Sequence, residues 1–378
     1  MLGTVLRAFR KTRGAVSVAL LAVCGCCLAF PLPAAARQRD ENIVSKHVRL
    51  LIPFERQWLG REAISELERC WEFVQGATGG RLPGRVLVVI EWDDAASTVD
   101  PERSIVTIGM NSPAAAADMK GFLLHRAARD LSRLALIGLS EGRASREENR
   151  FLLEGMSEML ARDFSGSVRR LGAAWAICYY LDRMSPLALK QISGRPEFSG
   201  DTHDLRTAAP GITFLTSCRD LYGRERLLKL FESLAKKSLD ESLTAAFKAS
   251  PNNLEAVWLK RLRAYRPADI TIAGEDEAPV LERVAFVPES GKAGGSLEVR
   301  VFTRDGANDL LNGGIFVIDD TTGKVALGKE GRSGEGRYTQ VALAIEPARE
   351  AGRYRLRLIA VDEGGNVRNW ESFYSVVR

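Results

Sequence analysis

GFLLHRAARDLSRLAL (121–136) and NRFLLEGMSEMLARDF (149–164) are the two stretches whose reading decides the fold. Each has the apolar spacing of a helix packed on a core. The polar residues inside them stand out. His125 and Arg129 lie four apart and share one helical face, with Arg126 between them and Asp130 four residues beyond Arg126. In the second stretch Glu154 precedes Gly155, and Glu158 follows one turn later. A mid-helix glycine costs about 1 kcal/mol relative to alanine, so Gly155 points to a close helix–helix approach.

The amino terminus has the features of an export signal. Arg7, Arg10, Lys11 and Arg13 precede an apolar run at 15–30, and Ala34, Ala35 and Ala36 follow it. Sixteen apolar residues fall short of the roughly 20 that a membrane-spanning helix needs, so cleavage after Ala36 is expected rather than a retained anchor. Cys24, Cys26 and Cys27 lie within this run and leave a lipid-modified form open, although the residues before them fit a lipobox poorly. The chain carries 53 basic and 48 acidic residues, and removing the four basic ones of the signal leaves 49 against 48. A near-neutral mature chain gives no electrostatic reason to expect nucleic acid or an anionic membrane surface as partner. No further segment is long and apolar enough to span a membrane. Cys70, Cys178 and Cys218 remain, without C-x-x-C spacing. A Cys178–Cys218 bridge and three buried thiols are both open readings.

The mature length suggests two domains. The proline-bracketed acidic stretch PADITIAGEDEAP (267–279) divides a helical part from a strand-rich one, giving a signal at 1–36, domains at 43–265 and 279–378, and a linker at 266–278. In the first part, 48–52, 85–90 and 104–108 read as strands, and 61–75 as an amphipathic helix. The β-branched run RVLVVI (85–90) suits a strand covered on both faces. Residues 168–183 read as a helix whose Trp175, Tyr179 and Tyr180 are core or cleft residues, and 194–204 as a polar loop. From 213 to 263 the pattern is again helical. Tyr222-Gly223 closes one helix, Ser238-Leu239-Asp240-Glu241 opens another, and Pro251 begins a last one containing Trp258.

In this order the pieces resemble the bacterial peptidase MA-like group of gluzincin zinc peptidases, over roughly residues 45–265. That resemblance implies a site in which two histidines of H-E-x-x-H and a glutamate on a later helix bind Zn²⁺, and the glutamate between the histidines takes a proton from metal-bound water. By position, His125 matches the first ligand, Arg129 the second, Glu154 the third and Arg126 the general base. Arginine stays protonated at physiological pH, so it neither accepts that proton nor binds a cation. The expectation is loss of zinc catalysis, no resident cofactor, and an Arg129–Glu154 ion pair where the metal would sit. Arg126 and Asp130 are placed to pair along the helix. The mature chain's histidines are His47, His125 and His203, and His47 and His203 have no ligand spacing to His125. A divergent Zn²⁺-dependent hydrolase using His125 and Glu154, with Glu158 or Asp130 as further ligands, is the enzymatic alternative. A purely structural envelope protein is the third reading.

From 278 onward the period becomes two, with strands at 296–303, 314–318, 336–344 and 352–361 separated by Gly- and Asp-rich breakers. About 100 residues of this kind read as a β-sandwich, and AGRYRLRLIAVDEGGN (351–366) resembles the penultimate strand and turn of immunoglobulin-like or fibronectin-type modules. The acidic turn has donors for Ca²⁺ but is of a kind that is usually just a hydrogen-bonded loop. The fold class expected is α+β: a mostly helical gluzincin-like domain with a small amino-terminal sheet, then an all-β immunoglobulin-like sandwich. The partner expected is a protein, peptide or cell-wall ligand met in the periplasm or cell envelope.

Overall fold

The computed structural model describes residues 40–92, 97–111, 115–116, 118–166, 169–192, 205–265, 279–304, 314–333, 336–362 and 366–378. The signal at 1–36, the 194–204 loop with His203 and the 266–278 linker lie outside the described residues. The fold is α+β, and Glu41–Arg378 forms one unit by its contacts.

The first layer is a sheet of β1 (Asp40–Val44), β2 (Val48–Pro53), β3 (Val86–Glu91), β4 (Thr98–Asp100) and β5 (Ile105–Gly109), in the order β1-β2-β3-β5-β4. β2, β3 and β5 run parallel, and β4 is an antiparallel edge on β5. Helix α1 (Gln57–Ala77) makes the crossover from β2 to β3. Its Leu59, Ala63, Leu67, Cys70, Trp71 and Val74 recur every three or four residues and are buried. Helix α2 (Met119–Leu139) packs into the same core through Leu123, Ala127, Ala128 and Leu131. The Asp118 carboxylate caps α2 by accepting from the Gly121 amide at 2.9 Å. RVLVVI was expected to be covered on both faces, but Val86, Val88 and Ile90 are buried while Leu87 and Val89 are only half-buried. The physical reason is that α1 and α2 share one core against the same face of the sheet.

The second body is helical: α3 (Arg150–Ser165), α4 (Arg169–Met184), α5 (Leu205–Tyr222), α6 (Arg224–Leu234), α7 (Leu239–Phe247) and α8 (Pro251–Ala264). Gly223, at φ 82°, turns α5 into α6. Ser238 and Glu241 form a capping box on α7, and Ser250 with Pro251 starts α8. Trp258 is fully buried and donates from Nε1 to Thr213 Oγ1 at 3.1 Å, which pins α8 to α5. Helix α3 is the centre of this body, since every residue from Phe151 to Ala161 is buried. It crosses α5 glycine on glycine: a Cβ at Gly155 would lie 2.3 Å from the Gly211 carbonyl carbon, and one at Gly211 would lie 1.8 Å from the Phe151 oxygen. Cys70, Cys178 and Cys218 are buried free thiols, and burial pushes Cys218 up to about 12.

The carboxy-terminal part has two sheets. One is β10 (Val325–Leu327), β9 (Ile315–Asp319), β13 (Gly352–Val361), β14 (Val367–Val377) and β7 (Ser290–Lys292) in that order; the other is β11 (Lys329–Ser333), β12 (Gly336–Ala344), β8 (Ser296–Arg304) and β6 (Val280–Val287). Leu297, Val299, Val317, Val341, Leu358 and Tyr374 form part of the core they share. The outer face of the β9–β13–β14 sheet is covered as well. Phe316, Ile318, Ile359, Val361 and Val367 belong to the core of the helical body, with Phe316 5.3 Å from the Tyr180 ring and the Arg183 guanidinium donating to Gly323 O at 3.3 Å. Trp175 and Tyr180 are thus core residues, and Tyr179 packs half-buried beside them. At the acidic turn the Asp362 carboxylate accepts from the Asn366 backbone and side-chain nitrogens at 2.7 and 2.6 Å, closing the turn on itself.

The α3–α5 crossing gives a stability prediction. Gly155→Ala should lose about 1–3 kcal/mol by overpacking against backbone that cannot yield, although alanine alone would favour the helix by about 1 kcal/mol. Denaturant unfolding measures it, and a midpoint equal to or above wild type would contradict the close crossing.

Candidate functional site

The two deciding helices face each other and bury a network of charges. Arg129 on α2 donates from Nη2 to Glu154 Oε2 on α3 at 2.9 Å, and both side chains are essentially inaccessible. Arg129 Nε also lies 3.6 Å from Glu158 Oε2. One turn further along α2, Arg133 places Nε 3.2 Å from the other Glu154 oxygen and donates from Nη1 to Asp130 Oδ1 at 3.3 Å. His125 Nε2 is 3.1 Å from Glu158 Oε1, the same oxygen that accepts from Arg170 Nε on α4. Three guanidinium groups, Arg129, Arg133 and Arg170, therefore compensate three carboxylates, Asp130, Glu154 and Glu158. Among deeply buried ions this matters, because a carboxylate left without a counter-charge is strongly disfavoured.

Local sequence explains the alignment. Arg129 and Arg133 are four residues apart, as are Glu154 and Glu158, so each pair stacks along one helix face and the two rows meet across the α2–α3 contact. Asp130 is fully buried and turned to Arg133, rather than lying on the helix surface as its spacing from Arg126 suggested. Arg126 is buried too, with its guanidinium 5.0 Å from the centre of the Phe122 ring. Burial alone would push Glu158 up; Arg170, His125 and Arg129 outweigh it and hold the carboxyl well below the usual carboxylate range.

The arrangement does not fit a gluzincin zinc site. Glu154, the positional third ligand, is hydrogen-bonded to a permanent cation, and Arg129 stands where the second histidine ligand would be. His125 meets Glu158 rather than Glu154; Arg129 contacts both Glu154 and Glu158, and Arg133 contacts both Glu154 and Asp130, so the four donors do not converge on one point. The residues that spacing alone missed are Arg133 and Arg170. Their signal was in the sequence: basic residues on largely apolar helices need acidic partners if those helices are buried.

A second titratable cluster lies between the β1–β2 turn and α1. His47, Glu68 and Glu72 each bring a ligand-capable atom within 4.8 Å of the others, and among the described residues this is the group able to hold a metal. The His47 Nδ1 meets Glu68 Oε1, while Glu68 Oε2 accepts from Ser45 Oγ at 2.5 Å and the His47 amide at 3.0 Å. Burial raises the Glu68 carboxyl, and these hydrogen bonds together with the imidazole outweigh it, leaving the group lowered.

No family model and no curated protein matches the chain. Among solved structures, a ceramidase complexed with C2 aligns at 14% identity over 39% of this chain and 30% of its own, with a TM-score of 0.18. The neutral ceramidase from Pseudomonas aeruginosa aligns at 12% identity over 44% of this chain and 36% of its own, also at 0.18. The matches span about a third of those chains, and at these scores they carry no argument about fold or function.

Two predictions follow from the buried network. Arg129→Met should cost about 3–5 kcal/mol, because Glu154 stays buried with Arg133 as its remaining partner; adding Glu154→Leu to it should recover most of that loss, with Glu154→Leu alone completing the cycle. Denaturant melts of the four proteins of the cycle measure the coupling. The second concerns acid. Glu158 has a folded-state pKa below the ordinary 4.5, so its contribution is complete above that pH and is lost as the pH falls below it. Glu158→Gln should flatten the acid limb of the melting-temperature profile, and an unchanged limb would remove Glu158 as its source.

Proposed function

We propose that the protein is an exported, catalytically inactive relative of the gluzincin peptidases that acts by binding or scaffolding in the cell envelope. The observation that carries this reading is the Arg129 guanidinium 2.9 Å from Glu154 Oε2. In a gluzincin that carboxylate serves the metal; here it is committed to a cation belonging to the chain itself. Arg126 stands at the general-base position and stays protonated, so water activation has neither a metal site nor a base.

Further support comes from the order of elements. A β–α–β sheet, a histidine-bearing helix packed on a glutamate-bearing one and a helical tail follow each other as in the group resembled. The basic, apolar and small-residue succession within residues 1–36 supports export. Among the described residues no helix is long and apolar enough to cross a membrane. The sandwich seated on α4 supports a scaffolding role, because the two parts share one apolar core. The partner class proposed is a protein, peptide or cell-wall component, met near His125, whose side chain is 18% exposed and still reaches solvent.

The double change Arg126→Glu with Arg129→His tests the site. It should add an equivalent of bound zinc over wild type that a further His125→Ala removes, while the wild-type chain has no peptidase activity that depends on His125. Wild-type hydrolysis lost on His125→Ala would overturn the proposal. Export has its own test: expressed in bacteria with its first 36 residues, the protein should be recovered from the envelope fraction beginning at Arg37, and retention in the cytoplasm would contradict it.

A further inference from the structure

The geometry points to a divalent-metal site at His47, Glu68 and Glu72, on the opposite elements of the fold from the arginine-filled one. Glu68 and Glu72 are four residues apart on α1 and present their carboxylates side by side, with His47, from the bend just before β2, closing the third side. Two carboxylates held within 4.8 Å of each other repel unless a cation lies between them. The set is one imidazole and two carboxylates, a donor mixture suited to Zn²⁺ and its first-row neighbours, and three protein ligands leave room for solvent on the metal.

The supporting contacts are those of a prepared site. The imidazole lies flat on the Trp71 ring, with centroids 3.9 Å apart and planes 8° from parallel, which fixes its orientation. The far oxygen of Glu68 is tied to the Ser45 hydroxyl and the His47 amide, so its near oxygen is aimed at the His47 Nδ1. Outer contacts of this kind orient metal ligands and tune their affinity. Glu72 takes no part in those hydrogen bonds and is exposed, so it is free to complete the site from the solvent side. His47 Nδ1 meets Glu68 Oε1 directly, and a metal bound between the three side chains would take the place of that contact.

Titration of the purified, chelator-treated protein with Zn²⁺ by calorimetry, and with Co²⁺ by visible absorption, tests the site. One equivalent should bind, with a Co²⁺ band that His47→Gln abolishes. Glu72→Gln should weaken binding about tenfold or more, and Ser45→Ala about ten- to a hundredfold. Glu72→Gln should also melt like wild type in the absence of metal, which separates loss of a ligand from loss of the fold. His125→Ala should leave binding unchanged, so that this site and the one built around Arg129 are judged independently. Absence of Zn²⁺ and Co²⁺ binding would overturn the inference, as would binding indifferent to His47→Gln and Glu72→Gln.

Discussion

A fully buried arginine must have its charge answered within the protein, and Arg129 sets that condition for the rest of the helical body. Its partner Glu154 lies at the middle of α3, a helix buried on every side from Phe151 to Ala161. Because α3 meets no solvent there, each of its charged side chains depends on a neighbour: Glu154 on α2, and Glu158 on both α2 and α4. The network ties three helices together at one point. A divalent metal in the same place would also answer the carboxylate, but as an exchangeable Lewis acid able to activate water. A guanidinium supplies counter-charge and directional hydrogen bonds with none of that chemistry.

Packing and electrostatics reinforce each other at this point. Gly155 follows Glu154 immediately and lets α5 approach to backbone contact through Gly211. That closeness excludes water from the helix core, which strengthens the ion pairs and makes any unmatched charge more costly. Adjacent residues of α3 therefore account for the tight crossing, through Gly155, and for the centre of the charge network, through Glu154.

The fold was legible where one periodicity governs a whole segment. The α2 and α3 stretches and the strands at 336–344 and 352–361 match the elements expected of them. β6, with its charged and largely half-exposed residues, gave no such signal. The Arg129–Glu154 contact was readable because spacing on one helix and position on the next both pointed to it. Arg170 was not, since nothing local says which carboxylate an arginine on α4 will reach. His47, Glu68 and Glu72 were harder still. Two of them share the i,i+4 spacing of a helix face, but the third comes from a turn more than twenty residues earlier, and only the packing of β2 on α1 brings them together.

The carboxy-terminal sandwich bears on how the whole unit can work. A sandwich used as a loose spacer would have a polar outer face on each sheet. β9 instead is buried at every position from Ile315 to Asp319. Val317 turns inward to the opposite sheet, while Phe316 and Ile318 turn outward to the helices. Swinging the sandwich away from α4 would expose those side chains with Ile359, Val361 and Val367, and each large apolar group so exposed costs about 1.5–3 kcal/mol. That cost opposes separation of the sandwich from the helical body.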